Sequence, residues 1–182
     1  MIKKILGSLV LILNIILGIS YYQNVVNNEI QIIEEFRVIQ SNNESSVEFI
    51  DIEIYLPSDE GDFLTRDLIM IDKNSSKERK IEEIFNNLKF KSSEIPLGSN
   101  IKNVFFEGKR VYINMNYQIV NNMTSPEKEM LIIYSIVNSL VNLEYVEEVK
   151  FLRENKETEF VGNFIRANDF FRRNNLLVRG DS

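Results

Sequence analysis

Hydrophobic residues run almost unbroken through Ile5-Leu-Gly-Ser-Leu-Val-Leu-Ile-Leu-Asn-Ile-Ile-Leu-Gly-Ile-Ser-Tyr-Tyr22, directly after Lys3 and Lys4. As a helix this stretch spans about 27 Å, close to the roughly 30 Å hydrocarbon core of a bilayer. The pattern predicts a single N-terminal transmembrane helix within residues 1–22, with Ile5, Leu9, Leu13 and Leu17 in lipid and Tyr22 at the far interface. Two lysines hold the N-terminus in the cytoplasm, so the remainder is expected on the extracytoplasmic side of a cell membrane. A second reading stays open. Residues 5–17 have the length of the apolar part of a signal peptide, and Gly18-Ile-Ser20 offers small residues where a signal peptidase reads. Cleavage there would give a secreted protein.

Over residues 23–46, Val26, Ile30 and Ile33 recur at helical spacing, as do Ile32, Phe36 and Ile39. This predicts a helical stalk that ends in the polar linker Ser41-Asn-Asn-Glu-Ser-Ser46. The stalk either pairs with a partner or packs on the domain that follows.

From residue 47 the period changes to two. Ile50, Ile52, Ile54 and Leu56 alternate with Asp51, Glu53 and Tyr55, a strand stopped by Pro57-Ser-Asp-Glu-Gly61. A second strand is expected over residues 63–73. Ser75-Ser-Lys-Glu78 reads as a capping box ahead of the apolar stripe Ile81, Ile84, Phe85 and Leu88. Strands over 100–106 and 110–117 flank a tight turn at Glu107-Gly-Lys109. In the second of them Val111, Ile113, Met115 and Tyr117 face one way, and Tyr112, Asn114 and Asn116 the other.

Ser125-Pro126 opens a long helix, with Ser as cap and Pro at a position where its missing N–H costs nothing. Met130, Ile133, Tyr134, Val137, Leu140 and Val141 make it apolar on most sides. Strands over 146–152 and 159–165 follow, with Phe170 and Phe171 behind. The order predicts an α+β domain over residues 47–173 with a tail at 174–182. It would be a small mixed or antiparallel sheet with two helices packed on one face.

Charge and composition narrow the function. The net charge is −6, and without Lys3 and Lys4 there remain 19 basic against 27 acidic residues, a net −8. Such a surface repels a phosphate backbone, so nucleic acid is not expected as a partner. There is no Cys or His, which removes thiolate chemistry, the commonest general base and the commonest metal ligand. No cofactor, metal or catalytic residue is therefore expected, and the chain reads as no enzyme. Asp59, Glu60 and Asp62 lack the full spacing of a Ca²⁺ loop and read as a solvated turn. Glu127, Glu129, Glu147 and Glu148 read as helix-end or strand-edge charges. Arg166, Arg172, Arg173 and Arg179 read as a basic strip, either a solvated tail or a contact for anionic lipid or acidic polymer. Tyr112, Asn114 and Asn116 form the candidate contact patch, set against the alternative of a merely exposed sheet face.

Several stretches, in order, resemble the GerMN domain family of sporulation and spore-germination proteins. Ile52-Glu-Ile-Tyr-Leu-Pro57 resembles its opening strand, and Ile95-Pro-Leu-Gly-Ser-Asn-Ile101 its entry to the hairpin. Asn103-Val-Phe-Phe-Glu-Gly-Lys-Arg-Val-Tyr-Ile-Asn-Met115 resembles the hairpin, and Ser125-Pro-Glu-Lys-Glu129 the start of the long helix. Val149-Lys-Phe-Leu-Arg153, Phe160-Val-Gly-Asn-Phe-Ile165 and Phe170-Phe-Arg172 resemble the strand and tail that follow. The chain departs from the family in lacking a Gly in the Glu154-Asn-Lys156 turn, and a Ser where Asn116 or Tyr117 stands. The resemblance implies an exported, non-catalytic module of a bacterial envelope, anchored here by protein rather than by lipid on a Cys. Its implied partner is another envelope protein or the cell wall. Peptidoglycan binding is the alternative, which the lack of Trp argues against.

Overall fold

The structure, a computed structural model, describes residues 47–179. The predicted membrane segment and stalk lie outside the described residues. Among those described, no helix is long and apolar enough to cross a membrane.

Among the described residues the fold is α+β, with two α-helices and two sheets. Strands β1 (Phe49–Pro57) and β2 (Leu64–Asp72) form an antiparallel ribbon. Helix α1 (Lys77–Lys91) follows and buries Ile81, Ile84, Phe85 and Leu88, the predicted stripe. Its cap is one residue later than the capping box implies. Ser76 Oγ accepts from Arg79 N–H at 3.2 Å, while Ser75 N–H closes the preceding turn on Asp72 C=O. Strands β3 (Ile101–Glu107) and β4 (Arg110–Met115) then form a hairpin around Gly108, whose φ of 61° suits a residue without Cβ. Helix α2 (Pro126–Leu140) starts as the sequence predicts, with Ser125 Oγ accepting from Lys128 N–H at 3.3 Å. After it come β5 (Glu148–Arg153) and the two-residue β6 (Lys156–Glu157).

The second sheet has the order β3-β4-β5-β6 and is mixed: β4 and β5 run parallel, and the other pairs antiparallel. Parallel neighbours need a long crossover, which α2 supplies. Ile132, Ile133, Ile136 and Val137 of α2 share one core with Val111 and Ile113 of β4, Val149 and Phe151 of β5, and the inner face of the ribbon.

The expectation of one sheet is corrected to two. The backbone of β1 at Tyr55 is engaged by α2, not by a further strand. Tyr55 N–H donates to Ser139 Oγ at 2.8 Å and Ser135 Oγ donates to Tyr55 C=O at 2.5 Å. Asn142 adds a bond to Glu53 C=O at 2.6 Å. Helix side chains thus satisfy polar backbone that another strand would otherwise pair.

The expected strand over 159–165 is also absent. Only an isolated bridge, Phe160 to Arg166, remains there. The tail beyond residue 173 is tied down: Asn138 and Asn174 exchange hydrogen bonds, and Arg179 N–H donates to Leu64 C=O at 3.1 Å.

Candidate interaction face

Register defines one face of the four-stranded sheet that points away from the core. Cross-strand partners share a face, which gives the rows Phe105-Tyr112-Lys150, Asn103-Asn114-Leu152 and Glu107-Arg110-Glu148. The tail crosses this face at residues 168–170. Lys150 is buried beneath it, donates to Asn168 C=O and lies 5.6 Å from the Phe170 ring centroid. Tyr112 meets the same ring edge-on at 5.5 Å, and the Arg110 guanidinium stands 4.8 Å from its centroid. Phe105 remains 48% exposed at the outer end of the row.

The three patch residues separate. Tyr112 stays half-buried, its hydroxyl donating to Glu107 Oε2 at 2.9 Å. That bond to a carboxylate raises the phenol above its usual value of 10.0. Asn114 is not a surface residue: it is fully buried. Alternation does put it on the outer face, but the β5–β6 turn folds over it. Its side chain accepts from Asn155 N–H at 2.9 Å and donates to Asn155 Oδ1 at 2.7 Å. Glu154 and Asn155 both have left-handed backbone, φ 51° and 62°, a region that favours Gly. Asn114 holds that turn. Asn114→Ala is expected to cost about 2 kcal/mol, since buried polar groups of the turn lose their partner; urea unfolding measures it. Asn116 is half-buried and local, bonding Gly98 C=O at 2.8 Å and Asn100 N–H at 3.1 Å.

Two acids expected to be peripheral are central to the structure. Glu129 is fully buried. Its Oε1 accepts from the N–H groups of Gly162 and Ile165 at 3.0 and 2.8 Å, and its Oε2 from those of Asn163 and Phe164, both at 2.8 Å. Here is the physical reason that residues 159–165 form no strand: four successive amides that could serve a ladder converge on one carboxylate. Phe164 is thereby presented, 43% exposed, on a fixed loop.

Glu148 lies between two arginines. Arg110 Nε donates to its Oε2 at 2.7 Å and Arg172 Nε to its Oε1 at 2.7 Å. The bond from Arg110, followed by that from Arg172, holds the carboxyl below its ordinary value of 4.5. A lowered folded-state value means a stabilisation that is complete above the unfolded value and lost as pH falls through the folded one. Glu148→Gln is therefore expected to reduce the loss of melting temperature on acidification below about pH 4.5, measured by circular dichroism.

Of the expected basic strip Arg166, Arg172, Arg173 and Arg179, the last three each have a partner of their own. Arg172 joins Arg110 at Glu148, Arg173 bonds Asn142 over the Tyr55 ring, and Arg179 stands over Phe63. In the 58–63 turn, Asp62 accepts from Ser58 Oγ at 3.1 Å, an ordinary turn closure. Arg110, Glu148, Phe170 and Arg172 help to line an open depression of about 540 Å³.

No curated protein matches the sequence. Solved structures do share its fold. The tandem GerMN domains of the sporulation protein GerM from Bacillus subtilis align with a TM-score of 0.55 at 15% identity, covering 69% of this chain and 46% of that one. The first GerMN domain of the same protein aligns at 0.50 and 17% identity, covering 68% of this chain and 98% of that one. A candidate lipoprotein from Clostridium perfringens aligns at 0.48 and 16% identity, covering 70% of this chain and 89% of that one. The Germane family model, described as sporulation and spore germination, matches residues 53–159, from β1 to just past β6. With that match over more than half its length, the chain belongs to the Germane family, and its α+β unit is a GerMN-like domain.

Proposed function

We propose that this protein is an exported, membrane-anchored and non-catalytic interaction module of the bacterial cell envelope. The observation that carries the reading is the outer sheet face, where Phe105, Arg110, Phe170 and Arg172 stand beyond the core and serve no catalytic arrangement. Tyr112 remains part of that face. The chain has no His or Cys to act as base or nucleophile, and the two most enclosed carboxylates are occupied, Glu129 by amides and Glu148 by arginines. The apolar run of residues 5–22 supports export, with the anchor reading favoured by the flanking lysines and the far tyrosines.

Crosslinking in cells followed by mass spectrometry tests the reading. Attachment to another envelope protein is expected; a strictly monomeric product contradicts it. Sequencing the mature N-terminus tests the anchor, and a start at Tyr21 would replace it with secretion.

The aromatic row favours a second reading, binding of cell-wall glycan, because sugar rings stack on aromatic faces. Co-sedimentation with purified sacculi decides this one, and no enrichment over a control protein eliminates it.

A further inference from the structure

We infer that the depression beside Phe170 receives a peptide segment carrying a single carboxylate next to an apolar side chain. This inference rests on the interaction-module reading and names the chemistry of the partner. Glu148 is the anchor of the site. It takes the Nε of both arginines, and the Nε and Nη2 of Arg172 both reach its Oε1. One edge of the Arg172 guanidinium is thereby committed, and its second edge points elsewhere. The Arg172 side chain is 76% exposed although it is anchored. A guanidinium fixed on one edge and open on the other is a preorganised fork, which matches a carboxylate better than an ammonium would. The depression itself is lined by three arginines, Arg110, Arg172 and Arg173, against two acids, Glu148 and Asp169, in a chain of net charge −6.

The surroundings decide between kinds of anion. Glu107, Glu147 and Asp169 border the arginines. A polymer with a charge on every repeat would bring its neighbouring anions against these acids, whereas a lone carboxylate would not. Apolar surface lies beside the fork: Phe170 is held by the Arg110 guanidinium and by Tyr112, and Tyr134 lines the same depression. Aromatic and arginine side chains of this kind supply much of the energy at protein interfaces. The arrangement suits an Asp or Glu with an apolar neighbour, not a polyanion.

The experiment is an NMR titration of the full chain in nonionic detergent, following the arginine Nε–H and phenylalanine ring signals. The probes are the peptide Ac-Leu-Glu-Phe-NH2, its Gln counterpart, inorganic polyphosphate, and phosphatidylglycerol vesicles. The Glu peptide is expected to move the Arg110, Arg172 and Phe170 signals and to bind about tenfold more tightly than the Gln peptide, as one charged hydrogen bond requires. Arg172→Gln should lose that preference, and Arg172→Lys, which keeps charge without the fork, should recover part of it. Equal binding of the two peptides, or signals moved only by polyphosphate or vesicles, overturns the inference. So does the absence of any shift. If cellular crosslinking still captures an envelope protein in those cases, the interaction-module reading stands and only the carboxylate chemistry falls.

Discussion

Replacing Glu129 with alanine is expected to lower the unfolding free energy by about 4 kcal/mol or more, the largest single effect in the domain. Four backbone N–H groups would lose their acceptor in a site where Glu129 itself is fully buried. An orphaned buried donor costs roughly 1–3 kcal/mol, and water entering the vacated space recovers only part of the sum. Glu129→Gln is the sharper test because it keeps the shape. Its amide NH2 would face two backbone N–H donors where an oxygen now accepts from both, at an expected cost of about 3 kcal/mol. A solvated helix-end glutamate, the reading that the sequence favours, would change stability by less than about 0.5 kcal/mol on the same substitution. Urea unfolding of the three proteins separates the two accounts.

Gly162→Ala is expected to cost about 2 kcal/mol, by overpacking rather than by loss of a bond. A Cβ at this position would lie 2.5 Å from Met123 Sδ and 2.7 Å from Glu129 Oε2. The Met side chain can yield, but the carboxylate is pinned by its four amides. The two substitutions should therefore not add. In the Glu129→Ala background one of the clashing groups is gone, so Gly162→Ala should cost clearly less than in the parent. A thermal and urea double-mutant cycle reads this coupling. Additive costs would mean that the glycine answers to some other constraint.

This pairing also shows what could be read from the sequence and what could not. Features whose partners are near in the chain were legible. The Ser125-Pro126 helix start, the Gly108 turn and the buried stripe of α1 all follow from spacings of a few residues. Ser135 and Ser139 gave no such signal, because their partner Tyr55 lies 80 and 84 residues earlier. A one-sheet reading fails for that reason. Glu129 was equally opaque. Its donors stand 33 to 36 residues further on, and one helical turn from Ser125 it looks like any first-turn acid. Each of the two stretches resembles the family, yet nothing local says that they meet. Alternation puts Asn114 on the correct face but says nothing of its burial, since the turn that covers it is 41 residues away. The glycine missing from that turn was the one available hint that a side chain elsewhere had to hold it.

For the candidate face, the sequence located Tyr112 but missed Phe105, Phe170 and Arg110, which register and the crossing tail bring to it. The central claim is that this face is where the protein meets its partner. Site-specific photocrosslinking in cells tests it most directly, with the photoreactive residue at Phe105 in one variant and at Phe90 in another. Phe90 is 85% exposed on α1 and belongs to neither sheet. The account predicts a discrete envelope-protein adduct from position 105 and none from position 90. An adduct of equal yield from both positions, or from position 90 alone, would contradict it.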